Sequence, residues 1–264
     1  MEETSFEAYC TGIGSRAEQL RDALVAGGPS VPVPACPGWT FAELARHIGG
    51  THRWAARVVR TRATGPVPHD LVDDVSWPGP VTPAALGSWV GEGAAELTGA
   101  LREAGPDAPM WTVAPGGTAR FWARRMTHET TLHAADAALA TRTRFTMDAA
   151  LGRDALDEWM GFGALPRVLE AAGPGAAPLL GPGRTLHLHA TDLAGSDGEW
   201  FVDLTRAPVT WRRAHEKAAV AVRAPLTDLV LLLYGRRTPA DVEVLGDPAL
   251  LRLWLERSGF WLRK

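Results

Sequence analysis

The stretch RFWARRMTHETTLHAADAA, Arg120 to Ala138, decides the fold. Read as a helix, it gathers Trp122, Met126, Glu129, His133 and Ala137 on one face at steps of four, three, four and four, the period of a buried helical stripe. A carboxylate and an imidazole thus interrupt an apolar row. Four residues turn a helix by roughly 40° and advance it by about 6 Å, so Glu129 and His133 can reach one cation from the same helix. A buried carboxylate without a partner is costly. The pair therefore calls either for a metal ion or for hydrogen bonds to each other, or to another side chain, inside a bundle. The string HETTLH resembles the zinc-protease helix motif, but that motif spaces its histidines four apart. His128 and His133 are five apart, roughly 140° around a helix, and cannot both face one ion.

Working outward toward the N-terminus, Thr40 and Glu43 form a capping-box pattern that opens a helix running to about Arg62. It carries His47 and His52, again five apart, and periodicity alone does not say which of them faces inward. An earlier helix is expected from Ser5 to Ala26, with Tyr9, Ile13, Leu20 and Leu24 apolar and Gly27-Gly28-Pro29 ending it. PSVPVPACPGWT, between the two, is too rich in proline for a regular element. Residues 65–82 read as a long connection, and Pro83 starts a helix that runs to between Leu101 and Ala104. The Pro- and Gly-rich loop GPDAPMWTVAPGG then leads into the Arg120–Ala138 helix, a connection long enough to set non-adjacent helices face to face. Further helices are expected from about Met147 to Ala172, with Trp159, Met160 and Phe162 in the core.

In GPGAAPLLGPGR, residues 173–184, the composition changes, which marks a domain boundary: a helical domain over 1–172 and a second domain over 185–264. Beyond it TLHLHATD, EWFVDLT, AVAVRAP and PADVEVLGD alternate as strands do, interleaved with a helix around LTDLVLLLYG and a last one from Pro248 to Ser258. This is a small α+β domain. His187 and His189 share one face of their strand, but no third ligand lies near them in sequence, so they read as sheet-lining histidines rather than a metal pair. The eleven tryptophans are spread over both halves and read as core rather than as a stacking surface.

At 264 residues, with 46% hydrophobic residues, the chain can bury a sizeable core. A net charge of −3 and a pI near 6.2, with 27 scattered Lys and Arg, argue against nucleic acid and anionic membranes as partners. The acidic start MEETSFEAYC has no signal-peptide pattern, and no run approaches the roughly eighteen apolar residues of a membrane span; a cytoplasmic location is expected. Cys10 and Cys36 read as free thiols, and Cys36, on its turn-rich loop, has no activating base beside it in sequence.

Taken together, VPACPGWTFAELARHIGG, HETTLHAADA, LHLHATD, GEWFVDL, LLLYGRR and VLGDPALL resemble, across nearly the whole chain, the mycothiol-dependent maleylpyruvate isomerase family. The resemblance implies two domains of α+β class, a DinB-like four-helix bundle followed by a small α+β domain. It implies a divalent metal, usually zinc, held by His47, Glu129 and His133, and so selects His47 over His52. It also implies an arginine from the second domain, matched by Arg236 with Arg237 as the competing position. Asp136, one turn after His133, is a weaker candidate for orienting a ligand. The implied activity uses metal-activated mycothiol for cis–trans isomerisation or for S-transfer to an electrophile. Small-molecule substrate and thiol are the expected partners, and no oligomeric state follows from the sequence. The alternatives are a non-catalytic metal- or ligand-binding protein, or a relative recruited into specialised metabolite biosynthesis.

Overall fold

A computed structural model describes residues 4–77, 81–114, 117–170 and 177–259. Four long helices make the N-terminal unit: α1 (Phe6–Gly27), α2 (Phe41–Arg60), α4 (Pro83–Ala104) and α5 (Ala119–Ala140), with a one-turn α3 (Asp70–Asp73) in the connection before α4. Each long helix packs chiefly against two others, α1 and α2 both lying between α4 and α5, so α1 sits across the bundle from α2 and α4 across from α5. The starts of these helices follow from their caps. Ser5, Thr40 and Thr82 each accept a hydrogen bond from a backbone N–H of the first turn, and Thr40 and Glu43 complete the capping box. Glycines let α2 and α4 approach closely: a Cβ on Gly93 would meet the Gly49 carbonyl oxygen at 2.9 Å, and one on Gly49 the Trp89 ring at 2.3 Å. The core between them is built from fully buried Leu20, Leu24, Phe41, Leu44, Ile48, Leu97 and Trp122. No helix among the described residues is long and apolar enough to cross a membrane.

The C-terminal unit has a five-stranded mixed sheet of order β3-β2-β1-β4-β5, from β1 (Thr185–Ala190), β2 (Glu199–Asp203), β3 (Thr210–Arg212), β4 (Val220–Ala224) and β5 (Glu243–Gly246). β1 and β4 are parallel and the other pairs antiparallel. The helices of this unit are α6 (Ala149–Gly163), the one-turn α7 (Arg167–Glu170), α8 (Leu226–Leu233) and α9 (Pro248–Ser258). The α+β, two-domain class is thus as expected. The short edge strand β3 was not, because three residues are too few to establish a period.

The domain boundary expected at 173–184 is corrected. The chain divides after Phe145, so that α6, assigned from sequence to the bundle, belongs with the sheet. The reason is packing: Trp159 stacks edge-on against Tyr234 at 4.9 Å, Gly152 sits against Leu226, and the Trp200 Nε1–H donates to Asp157 at 2.9 Å. Periodicity identified α6 as a helix but not the surface it covers. The expected linker lies partly outside the described residues.

Candidate metal centre

His47 comes from the middle of α2, and Glu129 and His133 from one face of α5, the neighbour of α2 in the bundle. The structure brings all three together. His133 Nε2 lies 3.2 Å from Glu129 Oε1 and His47 Nε2 lies 3.6 Å from the same oxygen, and the three donor atoms fall within 4.8 Å of one another. Donors around a tetrahedral zinc stand roughly 3.3 Å apart, given bonds of about 2 Å, so the spacing suits such an ion. The His47 and His133 side chains are 6% and 8% exposed, whereas Glu129 is 22% exposed, which leaves the cluster open on the carboxylate side.

What surrounds these side chains fixes their chemistry. His47 Nδ1 is 3.2 Å from the Val72 carbonyl on α3, and His133 Nδ1 is 3.0 Å from Asp136 Oδ2. A carbonyl and a carboxylate only accept, so both rings carry a proton on Nδ1 and direct Nε2 toward Glu129. With Nδ1 occupied in each ring, Nε2 is the atom left to act: protonated it donates to Glu129 Oε1, and deprotonated it offers its lone pair to a cation held beside that oxygen. Arg125 donates to Glu129 Oε2 at 2.6 Å and leaves Oε1 facing the imidazoles. Burial penalises the Glu129 carboxylate, but hydrogen bonds from His133 and His47 and the Arg125 charge outweigh it and hold its carboxyl well below the usual range. For His133, burial alone would push the ring down; hydrogen bonds to Asp136 and Glu129 and their charges raise it to about 8. The fully buried Asp136 also accepts from the Cys36 thiol at 3.7 Å. Cys36 is only half-buried, and Trp39 from the same loop packs 5.0 Å from the His47 ring.

The histidine ambiguity has a physical answer. His52 is also buried, but its Nε2 meets Thr130 Oγ1 at 2.8 Å, and that hydroxyl already donates to the Met126 carbonyl at 2.6 Å. The hydroxyl must therefore accept from His52 Nε2–H, and burial drives the ring down to about 3, so it stays neutral. His128 is buried elsewhere on α5 and, among the described residues, joins no such cluster. In the C-terminal unit, Arg236 and Arg237 follow α8, both half-buried. Arg236 Nη1 donates to the Tyr234 carbonyl at 2.7 Å, whereas Arg237 pairs with Asp228 at 3.2 Å. Sequence reading missed Val72 and Arg125: the first acts through its backbone, and the second is one arginine among many until α5 is seen to set it beside Glu129.

Two family models divide the chain between them. The mycothiol maleylpyruvate isomerase N-terminal domain matches residues 11–138, and the corresponding C-terminal domain matches residues 150–253. The chain belongs to the mycothiol-dependent maleylpyruvate isomerase family. The gap between the two matched domains brackets the division after Phe145. A crystal structure of the mycothiol-dependent maleylpyruvate isomerase superposes with a TM-score of 0.60 at 18% identity, covering 91% of this chain and 92% of that one. A histidine-to-alanine mutant of that enzyme matches with the same values. At this identity the likeness to the isomerase is one of fold. No curated protein sequence matches the chain.

Proposed function

We propose that the protein is a metal- and mycothiol-dependent enzyme of the maleylpyruvate isomerase type, acting by cis–trans isomerisation or by S-transfer to an electrophile. The observation that carries this reading is the convergence of His47, Glu129 and His133, with both rings anchored through Nδ1. These three residues would hold a divalent cation, zinc by the nitrogen-rich donor set, and as three protein ligands would leave room for an exogenous group. A cation held by these residues would supply Lewis acidity that lowers the pKa of a thiol, giving the nucleophilic thiolate that either reaction needs at neutral pH.

The remaining groups bind and orient. Val72 and Asp136 keep His47 and His133 in the tautomer that coordinates, and Arg125 holds the second Glu129 oxygen. Trp39 packs beside His47 and limits the approach of water on that side. Arg236 is proposed to bind a substrate carboxylate and the negative charge that develops on the carbonyl conjugated to it. The same first step serves both reactions, so the choice between them lies with the substrate. The cytoplasm, where a reduced low-molecular-weight thiol is available, is the proposed location.

The test is metal analysis of the purified protein together with turnover of maleylpyruvate and of general electrophiles with and without mycothiol. One zinc per chain lost in Glu129→Ala, and thiol-dependent turnover abolished by chelation, is the expected result. A Glu129→Ala protein that has lost that ion and keeps full activity would overturn the reading. Zinc binding without thiol-dependent turnover would mark a binding protein instead.

A further inference from the structure

A second cluster of ligand-type side chains lies entirely within the C-terminal unit and shares no residue with the bundle centre. Alternation along β1 places His187 and His189 on one face of the sheet, while Leu186 and Leu188 point to the other and are fully buried. In the antiparallel register with β2, His189 stands opposite Glu199, which puts that carboxylate on the histidine face. His215, from the segment between β3 and β4, closes over the same carboxylate. Glu199 Oε2 is 2.5 Å from His187 Nε2, and its Oε1 is 2.7 Å from His189 Nδ1 and 3.0 Å from His215 Nδ1. Donor atoms of His187, Glu199 and His215 all lie within 4.8 Å of one another.

We propose that His187, Glu199 and His215, with His189 beside them, form a second divalent-cation site, nitrogen-rich and suited to zinc or a similar transition-metal ion.

Charge and access support it. Glu199 is 5% exposed, and among the described residues its ion-pair partners are the three histidines. Imidazoles supply a counter-charge only when protonated, and the arginines nearest in the sheet are committed elsewhere. Arg223, opposite His189 on β4, pairs with Glu243, and Arg212 on β3 pairs with Glu216. A divalent ion provides the missing charge and uses the ring nitrogens as ligands. The His215 side chain is 75% exposed and that of His189 24%, whereas those of His187 and Glu199 are under 10%, so the cluster has a buried floor and a solvent-side entrance. An ion here would tie β1, β2 and the segment before β4 together.

The test is zinc titration by calorimetry of full-length, chelator-treated protein, with cobalt(II) absorption as a second readout. Wild type is expected to bind two ions per chain and His215→Ala one, with unchanged circular dichroism because His215 lies at the surface. Glu129→Ala, which removes only the bundle site, should still bind one ion, and the Glu129→Ala/His215→Ala double variant should bind none or bind at least tenfold more weakly. Glu199→Gln should reproduce the loss. If Glu129→Ala binds no zinc at micromolar concentration, or if His215→Ala leaves the stoichiometry and affinity of wild type unchanged, the cluster is only hydrogen-bonded and the proposal falls. Loss of one ion in His215→Ala with none lost in Glu129→Ala would keep this site while removing the bundle centre.

Discussion

His133 and His52 belong to adjacent helices and titrate in opposite directions. Burial takes His52 down to about 3, whereas hydrogen bonds to Asp136 and Glu129 overcome burial and bring His133 up to about 8. In metal-free protein the stabilisation from the His133 pairs is therefore fully present below the ordinary value of 6.5 and is lost as pH rises through about 8. A cation needs the deprotonated Nε2 and competes with that proton, so apparent zinc affinity at the bundle centre should rise about tenfold per pH unit up to about 8 and then level off. Competition titrations with His215→Ala protein between pH 6 and 9 measure this, and a flat profile would contradict it. Asp136→Asn keeps an acceptor for His133 Nδ1–H but removes the charge that makes the ring basic; affinity should fall by about tenfold or more while stoichiometry at saturation is retained. The choice between His47 and His52 was not legible from the residues of α2 alone. That helix is buried on nearly every side, so both rings point inward, and only Thr130 and Val72, distant in sequence, distinguish a satisfied core histidine from a ligand.

At the scale of elements, the bundle centre depends on a contact that contains no ligand. A Cβ on Gly50 would lie 1.9 Å from the Leu71 carbonyl oxygen, so α2 and α3 touch backbone to backbone beside the residue whose carbonyl holds His47. Gly50→Ala must displace α3. The expected result is a loss of about 1–3 kcal/mol in stability together with weaker zinc binding. Gly14→Ala, which meets nothing within 4 Å on α1, serves as the control and should be neutral or stabilising by up to about 1 kcal/mol. Denaturant titration and calorimetry read the two effects, and a Gly50→Ala protein with wild-type zinc affinity would sever the link. The capping box at Thr40 and Glu43 and the i, i+4 pair on α5 could be read directly, because their partners lie within one helical turn. The Glu199 cluster could not: its four members come from three separate segments, and the exposed stretch around His215 has no periodicity to place it.

For the whole molecule, the position of α6 has the largest consequence. A fragment beginning at Thr185, the start of the second domain expected from sequence, leaves Leu226, Tyr234 and Trp200 without the helix they pack on; one beginning at Thr146 keeps it. The longer fragment should unfold cooperatively in calorimetry and the shorter one should not. Equal cooperativity in both would mean that α6 is dispensable to the sheet. Apart from β3 and the one-turn helices, the order of helices and strands was evident from periodicity and proline-rich breaks, as was the two-domain class. The boundary was not, since a proline- and glycine-rich run marks where a chain bends rather than which core its flanking helices join.

The tether from Val72 to His47 has a consequence for descent within the family. The connection that supplies this carbonyl runs between the long helices α2 and α4, and connections tolerate insertion and drift better than the elements they join, yet it sets the orientation of a ring deep inside. A lineage that remodelled it to admit a bulkier molecule would, by the same edit, retune the grip on the ion and with it the acidity of any sulfur bound there. Substrate range and nucleophile strength would then change as one trait.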